Sequence, residues 1–164
     1  MAKQLITVTI NNKLTELYVD PRESLADMLR NDLKLTSVKH GCDVGECGAC
    51  TVVIDGENFD SCIYLAIWAD GKSITTVEGL ASLEGELADI QQAFVDDGAI
   101  QCGFCTPGFI MSTLPLLNVE EDLSREEIKK QVSGNFCRCT GYTNIINAIE
   151  HTREKIKNDR DSDK

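Results

Sequence analysis

The sequence has little from which to build a conventional core. Only 5% of its 164 residues are aromatic, with one Trp, three Tyr and five Phe, and proline occurs three times. A chain of this length holds one domain or two small ones, so something besides apolar packing is expected to help secure it. Positive charge is also scarce. Sixteen Lys and Arg stand against 27 Asp and Glu, a formal net charge of −11, which sets aside a nucleic-acid role and favours solubility. Long apolar runs are absent: residues 63–69, and Phe109–Ile110 with Leu114–Leu117, fall well short of the roughly 20 residues of a membrane span. Neither a G-x-G-x-x-G fingerprint nor a P-loop occurs, so the chain is not expected to bind FAD, NAD or ATP alone. The start, Met1–Ile10, alternates like a strand and lacks the apolar stretch and cleavage site of a signal peptide, which points to the cytoplasm.

What the chain does have is cysteine, eight in all. In a reducing compartment clustered thiols serve metals rather than disulfides, and a bridge across Cys137-Arg-Cys139 would be strained. Cys42, Cys47, Cys50 and Cys62 give the spacing C-x4-C-x2-C…C of a plant-type [2Fe-2S] loop. Gly41, Gly45 and Gly48 are interleaved with them, so the backbone can turn through positive φ and aim amides at what the loop encloses. His40 lies two residues before Cys42 and is expected as an exposed loop residue, because the cysteines already supply four ligands.

Around this loop the first half reads as α+β. Leu5–Ile10 and Leu14–Val19 form a hairpin, and Asp20, Pro21 and Glu23 suit the N-cap, first and third positions of a helix that places Leu25, Met28, Leu29 and Leu33 on one face. Thr51–Ile54 and Glu57–Asp60 flank an Asp55-Gly56 turn, and Ser73–Val77 reads as a further strand. Tyr64 and Trp68 are expected in the core. The fold class expected is α+β: a ferredoxin-like β-grasp over residues 1–76, followed by an all-α four-helix bundle over 77–157 and a frayed polar tail, 158–164.

The helices of the second half are Glu86–Asp97, with Leu87, Ile90, Phe94 and Val95 at helical spacing and Gly98 as its stop; one capped by Thr106 with Pro107 first, kinked at Pro115; a short one behind the capping box Ser124–Glu127; and Tyr142–Lys157. Cys102 and Cys105 fall on one inter-helix turn and Cys137 and Cys139 on another. If the helices pack antiparallel, the four thiols meet at one end of the bundle. Zinc also takes four cysteines and C-x2-C is a common half-site, so iron–sulfur and zinc readings both stand for this set. Gln101, beside Cys102, is either a loop hydrogen-bonding residue or a contact to a neighbouring cofactor. The acidic stretch 120–122 reads as solvated surface.

Taken together, GCDVGECGACTV, QCGFCTPG and GNFCRCTGY resemble the small iron–sulfur subunit of the molybdenum hydroxylases, which include xanthine dehydrogenase, aldehyde oxidoreductases and carbon monoxide dehydrogenase. The resemblance spans roughly residues 4–155, and the stretch 60–72 is most similar to bacterial xanthine dehydrogenase small subunits. It implies two [2Fe-2S] clusters, one held by Cys42, Cys47, Cys50 and Cys62 and lying nearer a FAD-binding subunit. The other, held by Cys102, Cys105, Cys137 and Cys139, would lie nearest the molybdopterin of a large subunit, with Gln101 and Cys139 touching the pterin. It further implies a non-catalytic electron-transfer subunit in a heterotrimer or a dimer of heterotrimers, with purine favoured over aldehyde, nicotinate or carbon monoxide as substrate. A stand-alone ferredoxin-like carrier and a zinc-stabilised interaction module are the competing classes; the helical half argues against the first.

Overall fold

A computed structural model of the chain describes residues 2–82 and 84–162. The first strands, β1 (Gln4–Ile10) and β2 (Lys13–Val19), pair antiparallel through a two-residue turn. Asn11 and Asn12 take φ of 49° and 64° there, the left-handed geometry that matches strand twist in a tight hairpin and that Asn tolerates. Ile6, Val8 and Ile10 point inward, whereas Leu5 and its register partner Tyr18 lie on the exposed face.

A short helix, α1 (Leu25–Asp27), passes directly into a π-helical turn, Met28–Asp32, and buries Leu25, Ala26, Met28 and Leu29. Its cap differs from the expectation. Ser24 is the N-cap, its hydroxyl accepting from the Asp27 amide at 3.1 Å. The Asp20 carboxylate is instead engaged by the amide and guanidinium of Arg22, and Pro21 lies in a turn closed by the Glu23 amide on the Asp20 carbonyl. Both sites fit the cap signature, but only Ser24 stands next to the first buried residue.

After the cysteine loop come β3 (Thr51–Ile54) and β4 (Glu57–Asp60), a 3-10 turn over Ala66–Ala69, and β5 (Ser73–Thr75). β5 is shorter than expected, because Val77–Gly79 coils into a second 3-10 turn. The strands make a mixed sheet in the order β2-β1-β5-β3-β4, in which β1 and β5 are parallel and the other pairs antiparallel. One core lies between this sheet and α1, joined by Val38, Cys50, Ala66 and Ala69. Tyr64 packs against it, but Trp68 is 56% exposed and is not a core residue. Its ring meets Tyr64 edge-on at 5.6 Å from outside, at the end of a 3-10 turn too short to carry it inward.

The second core is helical. Its elements are α2 (Asp89–Asp96), α3 (Thr106–Leu117), α4 (Arg125–Gln131) and α5 (Thr143–Ser162), with α5 packed against the other three. α2 starts three residues later than expected; Ile90 and Phe94 are buried, while Leu87 and Val95 are exposed. α3 begins at Thr106 with Cys105 as cap, runs past Pro115 and ends at Leu117. At and just after that end the Arg153 guanidinium reaches the carbonyls of Leu116, Val119 and Glu121. The Ser124–Glu127 capping box is formed as read. α5 continues through Ser162, so residues 158–162 are helical rather than frayed, and Lys157 pairs with Asp122 at 2.7 Å. Asp163 and Lys164 lie outside the described residues.

The two cores meet through α3, which lies against β3 and β4, and Asn58 donates to the Ser112 carbonyl at 3.0 Å. The closest approach is at Gly108, where an added Cβ would stand 2.2 Å from the carbonyl oxygen of Gly48. Helix preference alone favours Ala over Gly by about 1 kcal/mol. The backbone of the facing loop cannot yield cheaply, so Gly108→Ala is expected to destabilise by about 1–3 kcal/mol, lowering the thermal midpoint of the full chain by about 2–4 °C for each kcal/mol. Gly134→Ala, where a Cβ meets nothing within 4 Å, serves as control and should fall within about 0.5 kcal/mol of wild type. Calorimetry of the three chains checks both.

Candidate iron–sulfur site

The loop 41–50 wraps tightly because its backbone visits the left-handed region at Asp43, Gly45 and Gly48. Those turns direct amides at sulfur: Val44 and Glu46 donate to the Cys42 thiol, the latter at 3.3 Å, and pull its pKa down to about 7. Cys47 and Cys50 sit deeper. Burial raises both, and pushes Cys50 to about 12. Cys62 arrives from the segment after β4, brought close to Cys50 by the Ser61 hydroxyl on the Cys50 carbonyl at 2.7 Å. His40 hydrogen-bonds Asp43 at 2.6 Å and lies 3.4 Å from Asp27.

In the second set Cys102 and Cys139 are exposed, Cys105 half-buried and Cys137 buried. The Cys102 and Cys139 sulfurs are 3.7 Å apart, and Cys105 is in contact with Cys137. Burial pushes Cys105 up to about 12. Burial also works against a Cys137 thiolate, yet the Thr140 hydroxyl at 3.2 Å and the amides of Thr140 and Cys139 outweigh it, and its pKa is lowered. The Tyr142 hydroxyl accepts from the Cys137 amide at 3.1 Å, and Tyr142 itself takes φ of 68° to turn the chain into α5. Thr140 and Tyr142 were missed as supporting residues in the sequence, although both lie in the stretch FCRCTGY.

Each set therefore falls into two pairs: Cys42 with Cys47 and Cys50 with Cys62, then Cys102 with Cys139 and Cys105 with Cys137. A tetrahedral zinc site gathers its ligands around one point. Among the described residues no three His, Cys, Asp or Glu side chains are placed to do so. A [2Fe-2S] cluster takes four thiolates, two on each iron, which is the division seen. A cavity of about 230 Å³ bounded by all four second-set thiols adds room for a group there, and Gly41 and Cys47 of the first loop form part of its wall. The residues fit binuclear clusters.

Comparison with known proteins agrees. Residues 8–81 match the 2Fe-2S iron-sulfur cluster binding domain and residues 76–150 the [2Fe-2S] binding domain. The xanthine dehydrogenase iron-sulfur-binding subunit of Escherichia coli O157:H7 is 51% identical over 146 residues, covering 88% of this chain and 91% of that one. This chain belongs to the small [2Fe-2S] subunits of the molybdenum hydroxylases. Among other members, the nicotine 6-hydroxylase small subunit of Paenarthrobacter nicotinovorans is 48% identical, covering 93% of this chain and 92% of that one. A chain of the quinoline 2-oxidoreductase structure from Pseudomonas putida 86 superposes with a TM-score of 0.91 at 44% identity, covering 96% of this chain and 98% of that one. As a small [2Fe-2S] subunit the chain is an electron-transfer component of an oxidoreductase. No helix among the described residues is long and apolar enough to cross a membrane.

The thiol environments give a direct test on cluster-free chain. Because the folded pKa of Cys42 is depressed, its contribution to stability is present above the ordinary thiol pKa and is lost as pH falls through about 7. Iodoacetamide labelling, followed by peptide mass spectrometry, should show Cys42 reacting with a midpoint near pH 7, while Cys50 and Cys105 stay slow through pH 9 or so. A common midpoint for all three would contradict these environments.

Proposed function

We propose that this subunit conducts single electrons from the molybdopterin centre of a large subunit, through two [2Fe-2S] clusters, to FAD on another subunit. The division of each four-thiol set into two pairs is the observation that carries the reading. Cys42, Cys47, Cys50 and Cys62 hold the first cluster, and Cys102, Cys105, Cys137 and Cys139 the second. When bound, such a cluster accepts and returns one electron at a time, which is how a two-electron oxidation is divided. The chain's own contribution is to fix the sulfurs and to favour their charged form: amides of Val44 and Glu46 serve Cys42, and amides of Cys139 and Thr140 serve Cys137.

We place the second cluster next to the pterin, with Gln101 and Cys139 as contacts. Both are exposed, as a contact across a subunit boundary requires, and Gln101 adjoins Cys102, whose sulfur lies 3.7 Å from that of Cys139. The first unit, residues 1–76, is read as a β-grasp ferredoxin-like domain and the second, 77–157, as a four-helix bundle, each with its own core. The assembly is a heterotrimer or a dimer of heterotrimers in the cytoplasm. For substrate, xanthine or a related purine is preferred on the 51% identity to the xanthine dehydrogenase subunit. A subunit named for nicotine is nearly as similar at 48%, so an N-heterocycle other than a purine is the alternative reading. Substrate recognition rests on the large subunit in either case.

Low-temperature EPR of the dithionite-reduced, cluster-loaded chain, with iron quantified on the same sample, tests the proposal. Two distinct S = 1/2 signals and about four irons per chain, two for each cluster, are expected. Cys42→Ser should alter or remove one signal and Cys102→Ser the other. Zinc in place of iron in fully matured protein, or loss of both signals from either substitution, would contradict it.

A further inference from the structure

The two thiol sets are joined by one short piece of backbone. The amide of Phe136 donates to the carbonyl of Cys47 at 3.0 Å, and Phe136 is bonded directly to Cys137. A thiol of the first set and a thiol of the second are thus connected by covalent bonds and a single hydrogen bond. The residue before it, Asn135, is buried at 6% exposure although its side chain is a primary amide. That amide donates to the Gly48 carbonyl at 2.9 Å and approaches the Thr51 hydroxyl at 3.4 Å.

The fit around Asn135 is close. Gly48 holds φ of 64°, and an added Cβ there would stand 2.4 Å from the Asn135 amide nitrogen and 2.7 Å from the Gly134 carbonyl. Asn135 therefore fixes the chain one residue before the Phe136 amide to the loop one residue after the Cys47 carbonyl. Two adjacent hydrogen bonds set the register; removing the side-chain one leaves the other free to lengthen or tilt.

Resting on the two-cluster reading, we propose that Asn135 is a positioning residue for electron transfer between the two clusters, holding Cys47, Phe136 and Cys137 in the register of a through-bond route. The step itself moves one electron: the donor cluster is oxidised by one and the acceptor reduced by one, with no proton transferred. Electronic coupling decays steeply with separation and across a stretched hydrogen bond, so a loosened register slows transfer even where both clusters are intact. The loop at Gly48 keeps other donors on its carbonyl without Asn135. The Gly48 carbonyl keeps the Thr51 hydroxyl at 2.8 Å and the Thr51 amide at 3.2 Å, so no carbonyl is orphaned by the substitution.

The test uses the assembled, cluster-loaded complex carrying Asn135→Ala or the near-isosteric Asn135→Asp, with Thr51→Val as a control that leaves the Asn135 amide on Gly48. Two quantities are read: the magnetic splitting between the two reduced clusters by EPR, and the rate of electron exchange between them after flash reduction. Expected is full spin intensity for both signals in both Asn135 variants, a changed splitting, and exchange slower by about tenfold or more, as misplacement of a positioned group produces. Thr51→Val should retain wild-type exchange. Wild-type splitting and exchange in the Asn135 variants would overturn the proposal. So would loss of a cluster signal in both, since that makes Asn135 a folding residue of the loop. Absence of two signals in the wild-type complex would instead overturn the two-cluster reading.

Discussion

A sulfur atom held out of water in its charged form needs hydrogen-bond donors, and the arrangement of this protein follows from supplying them. Burial alone pushes the thiols of Cys50 and Cys105 up to about 12, a setting in which neither would ionise at neutral pH. Against that stand the amides aimed at Cys42 and Cys137. The amides of Val44 and Glu46 are turned onto Cys42 by a loop that passes through the left-handed region at Asp43 and Gly45. Thiolates bound to iron no longer need to hold off a proton, so the donors that lower Cys42 in the free chain would spread over the sulfur of a cluster when one is bound.

The same economy explains the small cores. The sheet core closes over Cys50 and the helical core over Cys137, so each thiol set is continuous with the apolar interior of its own unit. Where the thiol sets approach each other, backbone lies on backbone: Gly48 against Gly108, and the Cys47 carbonyl against the Phe136 amide. Side chains at Gly48 or Gly108 would separate the units at the point where the thiol sets approach each other. A conducting protein gains from such proximity, while one needing only stability could fill the gap with apolar residues.

Much of this was legible beforehand because the chemistry is written in local spacing. C-x4-C-x2-C marks a loop, and the Asp55-Gly56 turn fixes its hairpin to the residue, whereas the first hairpin takes in Gln4 and Lys13 and closes on the two residues Asn11-Asn12. The capping box at Ser124 was equally local. What escaped depends on choices between local signals or on tertiary context. Asp20 reads as the cap, yet the cap formed is Ser24, next to the buried Leu25 and Ala26. Trp68 looked like a core residue, yet the 3-10 turn carrying it leaves it outside. The polar end of α5 lacks an apolar stripe but continues as helix, with Lys157 tied to Asp122. Asn135 showed no signal in its own spacing, since its partner is Gly48, 87 positions earlier. The pairing of thiols within each set could not be read from sequence either; it required the fold.

Anomalous diffraction at the iron edge from crystals of the assembled complex tests that pairing most directly. Two pairs of iron peaks are expected within this one chain. In the first, one iron is bound by Cys42 and Cys47 and its neighbour by Cys50 and Cys62; in the second, one is bound by Cys102 and Cys139 and its neighbour by Cys105 and Cys137. A single metal peak surrounded by all four thiols of either set, or thiols divided in any other way, would contradict it.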